Sequence, residues 1–285
     1  MTATYAVNCS ILFTELPLLE RPQAARAAGF TAVEFWWPFE STTPPDADVT
    51  AFIRAHQEAG VQLSGLNFAA GDMPSGERGI LSDPALSVAF RDSVDVAVGI
   101  AKILGTRKFN ALYGNRVDGL SPAAQDDTAA ENLSYASTAA AAVDATILLE
   151  PVSGAPHYPI RTASDAVHII DNVCDGTGAN NIRLLADLYH LYVNGDDVDQ
   201  AIELYNSYIG HVQLADAPGR GEPGTGEVPL GDYLGLILAA GYRGHVGLEY
   251  KASQTDPFGW LPRAERGGDA VNTGSLRTTA ETRKR

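Results

Sequence analysis

The six residues HVQLAD, His211–Asp216, read as a buried strand with a polar insertion. Val212 and Leu214 share one face and His211 and Gln213 the other, because successive side chains of a strand point to opposite sides. Three more runs repeat the pattern. In TILLEP (146–151), Ile147 and Leu149 alternate with Leu148 and Glu150. In RLLADL (183–188), Leu184, Ala186 and Leu188 alternate with Leu185 and Asp187. In HVGLEY (245–250), Val246 and Leu248 alternate with Gly247 and Glu249. One face is always apolar, and the other carries an oxygen-bearing side chain near the strand's C-terminal end. Strands covered by helices outside and packed against one another inside a barrel have this signature.

Outward from these runs, short apolar stretches alternate with longer ones of helical period. Strands are predicted at 5–13, 31–37, 62–69, 108–114, 146–151, 182–188, 208–215 and 245–250. Helices are predicted at 18–28, 48–59, 84–104, 122–143, 163–173, 198–205 and 230–239, several closed by a glycine, as in EAGV (58–61) and LGT (104–106). Eight such alternations in roughly 250 residues predict an α/β fold, a single-domain (β/α)₈ TIM barrel spanning residues 1–262. The competing doubly wound sheet usually places a glycine-rich loop after its first strand, and FTEL (13–16) has no glycine. The tail, 263–285, is expected to lie outside the barrel and to be disordered, since from Gly267 onward it has no aromatic residue and one leucine.

Composition narrows the partners. A net charge of −15 repels nucleic acid and anionic membranes, leaving a small anionic substrate that needs a local cation. The two cysteines, Cys9 and Cys174, make neither a disulfide framework nor a thiolate cluster. The N-terminus lacks a basic leader and no apolar run reaches membrane-spanning length, so a cytoplasmic location is expected. A homo-oligomer is left open.

Glu150, Asp187, Gln213 and Glu249 should converge at one side of the barrel mouth, about one βα unit apart in sequence. Three crowded carboxylates repel unless a cation holds them. Three carboxylates and an amide oxygen favour Mg²⁺ or Mn²⁺ over Zn²⁺. The alternative for any one of them is a structural ion pair, but four at the same level argue for a metal.

The motifs LLEPVSG, ADLYH, HVQLADAPGRGEPGTGE and GLEYK, with VEFWWPF (33–39) and AGDMPSGERGI (70–80), resemble the hydroxypyruvate isomerase family of the xylose isomerase-like barrels over about residues 1–262. The resemblance implies that Glu150, Asp187, Gln213 and Glu249 bind a divalent metal. It also implies that Glu150 and Glu249 form the acid/base pair interconverting hydroxypyruvate and tartronate semialdehyde through a cis-enediolate. One small departure is AAVDATILLE, where relatives tend to have a glycine before the strand.

Arg220, in the loop after the Gln213 strand, is the first candidate to hold the substrate's carboxylate, and Arg78 the second. Solvated loop arginines are the plain alternative, as is a flexible loop around Gly219, Gly221, Gly224 and Gly226. His190 is expected at the mouth as a donor or substrate contact, or as a packed structural histidine. His211 and His245 read as core histidines. Glu34 should line the pocket, with Trp36 and Trp37 walling it.

Three other readings compete. An isomerase or epimerase of a longer keto acid or ketose would use the same groups. A multi-zinc endonuclease needs more inward histidines than six histidines provide, with His56 and His168 on helices, and a basic face. A non-catalytic barrel would not need both glutamates intact.

Overall fold

In the computed structural model, which describes Ala3–Gly267, eight parallel strands pair in chain order and close the last against the first. They are β1 (Thr4–Asn8), β2 (Ala32–Phe35), β3 (Gln62–Asn67), β4 (Lys108–Asn110), β5 (Thr146–Leu149), β6 (Ile182–Asp187), β7 (Ile209–Leu214) and β8 (His245–Leu248). Closure runs from Thr4 opposite His245 to Val7 opposite Leu248. The helices are α1 (Arg21–Ala27), α2 (Asp46–Ala59), α3 (Ser87–Leu104), α4 (Pro122–Ala141), α5 (Ala163–Thr177), α6 (Leu188–Asn194), α7 (Val198–Tyr205) and α8 (Leu230–Ala239). This is the single (β/α)₈ barrel that the alternation predicts.

The outward rows, Ile147 and Leu149, Leu184 and Ala186, Val212 and Leu214, Val246 and Leu248, join the main apolar core between sheet and helices. Each fully buried aliphatic side chain there contributes about 1.5–3 kcal/mol. The inward set forms a separate, partly polar interior, where Glu34, Asn67, Asn110, Leu148, Leu185, His211 and Gln213 surround one small void. Two register shifts, at Val33/Glu34 and at Leu184/Leu185, adjust which side chains reach that interior.

The strands are shorter than their apolar runs suggest. β1 stops at Asn8 because the Asn8 carbonyl accepts from the Leu12 amide at 3.0 Å and turns the chain out of the sheet. Ile11–Phe13 are apolar because Leu12 joins the main core and Ile11 and Phe13 pack against it. β6 ends at Asp187, and α6 follows at once: the Asp187 side chain caps it by accepting from the amides of Tyr189 and His190. The helix stops at Gly60 and Gly105 are left-handed, at φ 64° and 75°, as the glycines imply.

Residues 263–267, expected with the tail, instead lie on the barrel. The Arg266 guanidinium donates to the carbonyls of Leu261, Ala28 and Phe258, and the Gly267 carbonyl accepts from the Thr31 hydroxyl. The rest of the tail, with its expected disorder, lies outside the described residues. Among the described residues no helix is long and apolar enough to cross a membrane.

Candidate active site at the C-terminal mouth

Four neighbouring strand ends set the site. Asp187 stands opposite Gln213, and Gln213 opposite Gly247, while Glu150 and Glu249 directly follow β5 and β8. All four side chains are buried: their residues are 5% (Glu150), 0% (Asp187), 4% (Gln213) and 4% (Glu249) exposed. Carboxylates this dry demand partners.

Each glutamate has its own donors. Asn110 Nδ2 donates to Glu150 Oε2 at 2.7 Å. Glu249 Oε1 accepts from the Trp36 indole N–H at 2.5 Å and from Asn8 Nδ2 at 3.3 Å, and its Oε2 faces Arg220 Nη2 at 2.9 Å. Burial and the charges of Glu249 and Asp187 push the Glu150 carboxyl well above the carboxylate range, against the pull of Asn110. Burial pushes Glu249 up to about 7, although Arg220 opposes it.

Besides Asn110 Oδ1, two buried oxygens of the proposed ligand residues have no hydrogen-bond partner, Asp187 Oδ2 and Gln213 Oε1. Gln213 is oriented from below: its Nε2 donates to Glu34 Oε2 at 3.1 Å, while Glu34 Oε1 meets His211 Nε2 at 2.6 Å. The amide oxygen is therefore left over for something else. Gly247 makes this arrangement possible, since a Cβ there would stand 2.5 Å from Glu34 Oε2 and 2.7 Å from Gln213 Cγ. Gly247→Ala is expected to turn the Gln213 amide away and weaken divalent-cation binding about tenfold, a loss of about 1.4 kcal/mol. Calorimetric titration with Mn²⁺ reads the effect, and an unchanged affinity would remove Glu34 from this role.

His190 stands across the mouth. The Ser153 amide donates to His190 Nδ1 at 3.0 Å, so Nδ1 is an acceptor and the neutral ring carries its proton on Nε2. Burial pushes this imidazole down to about 4, with Asp187 opposing and Arg220 and Arg78 assisting, so the ring is neutral at neutral pH. Nε2 lies 3.9 Å from Glu150 Oε1 and 3.7 Å from Asp187 Oδ2. Ligand atoms of Glu150, Asp187 and His190 fall within 4.8 Å of one another, a spacing that suits a metal ion. With Nδ1 occupied, His190 serves better as an N–H donor than as a ligand, and the unpaired oxygens of Asp187 and Gln213 complete an oxygen set with the glutamates. The residues present fit a hard divalent cation.

The loop after β7 is held rather than loose. Asp216 Oδ1 accepts from the amides of Ala217 and Val228, and Oδ2 from those of Gly224 and Gly226. A Cβ on Gly226 would sit 2.1 Å from the Ala217 carbonyl oxygen. Glu222 ties the same loop to the chain after β8 through the amides of Ser253 and Gln254. Arg220, at a left-handed φ of 59°, accepts from the Lys251 amide through its carbonyl. Its guanidinium lies 3.6 Å from Asp187 Oδ2 as well as against Glu249, and over the Tyr189 ring at 5.5 Å.

The predicted site residues Glu150, Asp187, Gln213, Glu249, Arg220 and His190 thus share one mouth. Arg78 sits farther off: its guanidinium donates to the carbonyls of Met73 and Glu77, while its charge still reaches His190. Trp37 does not wall the mouth with Trp36; its indole donates to the Ser41 carbonyl and packs on Phe39. Glu34 lies beneath Gln213 rather than at the pocket's edge. Sequence reasoning missed Asn8 and Asn110, and it read Trp36 as a pocket wall without its hydrogen bond to Glu249. Asn8 and Asn110 each end an inward row, the signal that revealed Gln213.

With the barrel and this mouth in place, the class is clear: residues 22–271 match the xylose isomerase-like TIM barrel family, and the chain belongs to it. It is, more particularly, an isomerase of the hydroxypyruvate isomerase group. A Streptomyces coelicolor protein provisionally named hydroxypyruvate isomerase is 52% identical, covering 92% of this chain and 96% of that protein. The Escherichia coli hydroxypyruvate isomerase is 34% identical over 90% of this chain and 97% of its own length. The 2-oxo-tetronate isomerase of Cupriavidus necator is 33% identical over 90% of this chain and 96% of its own length. Among solved structures, a Brucella melitensis protein described as a family 2 AP endonuclease superposes with a TM-score of 0.81 at 32% identity, covering 91% of this chain and 97% of that one.

Proposed function

We propose that this chain is a divalent-metal-dependent aldose–ketose isomerase that interconverts hydroxypyruvate and tartronate semialdehyde, using Mg²⁺ or Mn²⁺. The observation that carries the reading is the pair of dry glutamates, Glu150 and Glu249, beside oxygens of Asp187 and Gln213 that accept no hydrogen bond. Glu150, Asp187, Gln213 and Glu249 would hold the ion, which as a Lewis acid supplies stabilisation of the negative charge that grows on the substrate oxygens.

The remaining work belongs to the chain. In the forward direction a proton leaves C3 of hydroxypyruvate and one returns to C2, while the hydroxyl proton passes from O3 to O2. Glu249, with three donors favouring its carboxylate, is suited to take the first proton. Glu150, held by Asn110 at the strand end across the site, is suited to return one. His190 Nε2–H can donate to a substrate oxygen. Arg220 Nη1, unengaged by the described residues, can take the substrate's carboxylate, and Arg78 adds positive potential. The small, charged substrate suits a closed mouth from which Trp36 helps keep water.

A longer substrate is the second reading, supported by the near-equal identity to the 2-oxo-tetronate isomerase. The endonuclease reading finds no support in a chain of net charge −15. The purified protein is to be assayed on hydroxypyruvate and on 2-oxo-tetronate, in EDTA, Mg²⁺ and Mn²⁺. Metal-dependent turnover with higher kcat/KM on hydroxypyruvate is expected. Preference for the four-carbon acid would overturn the chain length, and activity unchanged in EDTA would overturn the metal.

Stability gives an independent readout. Glu150 and Glu249 hold protons more tightly in the folded, metal-free protein than in the unfolded chain. The contribution of Glu249 to stability is therefore full below about pH 4.5 and is lost as pH rises through about 7, and that of Glu150 is likewise lost as pH rises through its own raised value. A bound cation favours their ionised forms. The Tm gain on adding Mg²⁺ is thus expected to be larger at about pH 8 than at about pH 5. Equal gains at both values would argue that the ion binds elsewhere.

A further inference from the structure

The opposite end of the barrel holds a second polar cavity that the proposed reaction does not use. It has a volume of about 400 Å³ and lies under the N-terminal ends of β4 to β8. Its wall carries three cations, Lys108, Arg183 and Arg243, with Thr146, Asn206 and Ser207, and no carboxylate. Among the described residues none of the three cations makes a salt bridge.

The placement follows from the strands. Lys108 opens the inward row that continues to Asn110, and Arg183 opens the row that continues through Leu185 to Asp187. Arg183 and Asp187 are four positions apart along the strand, roughly 13 Å, so the cavity and the catalytic mouth are distinct. Gly210, at the register shift between β6 and β7, clears the way for Arg183: a Cβ there would stand 2.5 Å from Arg183 Cβ. Arg183 uses one nitrogen on the Ile182 carbonyl, and Arg243 uses one on the carbonyls of Leu238 and Tyr242. Carbonyls at helix and strand ends partly offset the charges but leave most of each guanidinium fork unused. Burial and the neighbouring Arg183 push the Lys108 ammonium down from its usual value, the direction expected of cations crowded without a counter-charge.

We propose that this cavity binds a small polyanion, of the phosphate-ester or di- and tricarboxylate class, through Lys108, Arg183 and Arg243. Guanidinium forks suit phosphate and carboxylate oxygens alike, and the hydroxyl and amide groups of Thr146, Ser207 and Asn206 can donate to the same ligand. The volume accommodates a small metabolite and not a polymer.

The test is calorimetric titration of the metal-free protein in EDTA at constant ionic strength, with pyrophosphate and citrate as separate probes. Saturable binding of one or both is expected, and the stronger probe identifies the anion class. Affinity should fall about tenfold or more in Arg183→Gln and in the surface-lying Arg243→Gln, in keeping with loss of a charged hydrogen bond. It should persist in Arg220→Gln, which disables the other mouth. Because Arg243 lies on an exposed turn, its variant keeps the test open if Arg183→Gln folds poorly. Heats indistinguishable from sodium chloride, or binding lost in Arg220→Gln and kept in the other two, would overturn the site.

Discussion

Glu150→Gln and Glu249→Gln are each expected to lower kcat by about 10³-fold, within the range general acid–base groups contribute. The amide keeps the side chain's size and one oxygen, but it cannot take or return the proton. The two variants should differ in stability. Glu150 is the carboxyl most opposed by burial and by its neighbours, with a single donor to compensate. Its replacement should leave the metal-free Tm unchanged or raise it, while shrinking the Tm gain from Mg²⁺. Glu249→Gln leaves Arg220 and the Trp36 N–H facing an amide, so its metal-free Tm should fall. Steady-state kinetics, solvent-deuterium incorporation at C2 or C3, and melting curves with and without metal check all three statements. A variant that kept a tenth of wild-type turnover would lose its acid/base role.

The second large effect is structural. Asp216→Ala removes the acceptor of four loop amides, those of Ala217, Gly224, Gly226 and Val228. Groups so enclosed cannot all find water, and the cost is expected to be at least about 3 kcal/mol, or roughly 6–12 °C in Tm. Asp216→Asn, which keeps the shape and one oxygen, should lose about half as much. The same change releases Arg220, whose segment is also held by reciprocal backbone bonds between Asp216 and Gly221. KM for the anionic substrate should therefore rise even at temperatures where the variant is fully folded. A melting point within a degree of wild type would show that the loop is supported from elsewhere.

Much of this molecule could be read in its sequence because the two faces of a barrel strand have different chemistry. Outward residues such as Ile147 and Leu214 must be apolar, so Glu150 and Gln213 stand out. The same rule applied to the first half would have marked Asn8 and Asn110. They passed unremarked because an isolated amide at a strand end is a weaker signal than a row of carboxylates. What the sequence concealed lies in contacts between elements distant along the chain: the Trp36 N–H reaches Glu249 across 213 positions, and Gln213 meets Glu34 across 179. Nor could apolar spacing reveal α6, because LYHLYVN continues the buried run of β6, and Asp187 serves at once as strand end and helix cap.

The oxygens proposed to hold the ion all come from β5 to β8, whereas β1, β2 and β4 contribute only the groups that steady them, Asn8, Glu34 with Trp36, and Asn110. The barrel is therefore built like a tool with a fixed blade and an exchangeable guard. The loops following β3 and β4 supply none of those oxygens, so changes there leave the proposed ligand set itself intact. Retailoring this isomerase should start there.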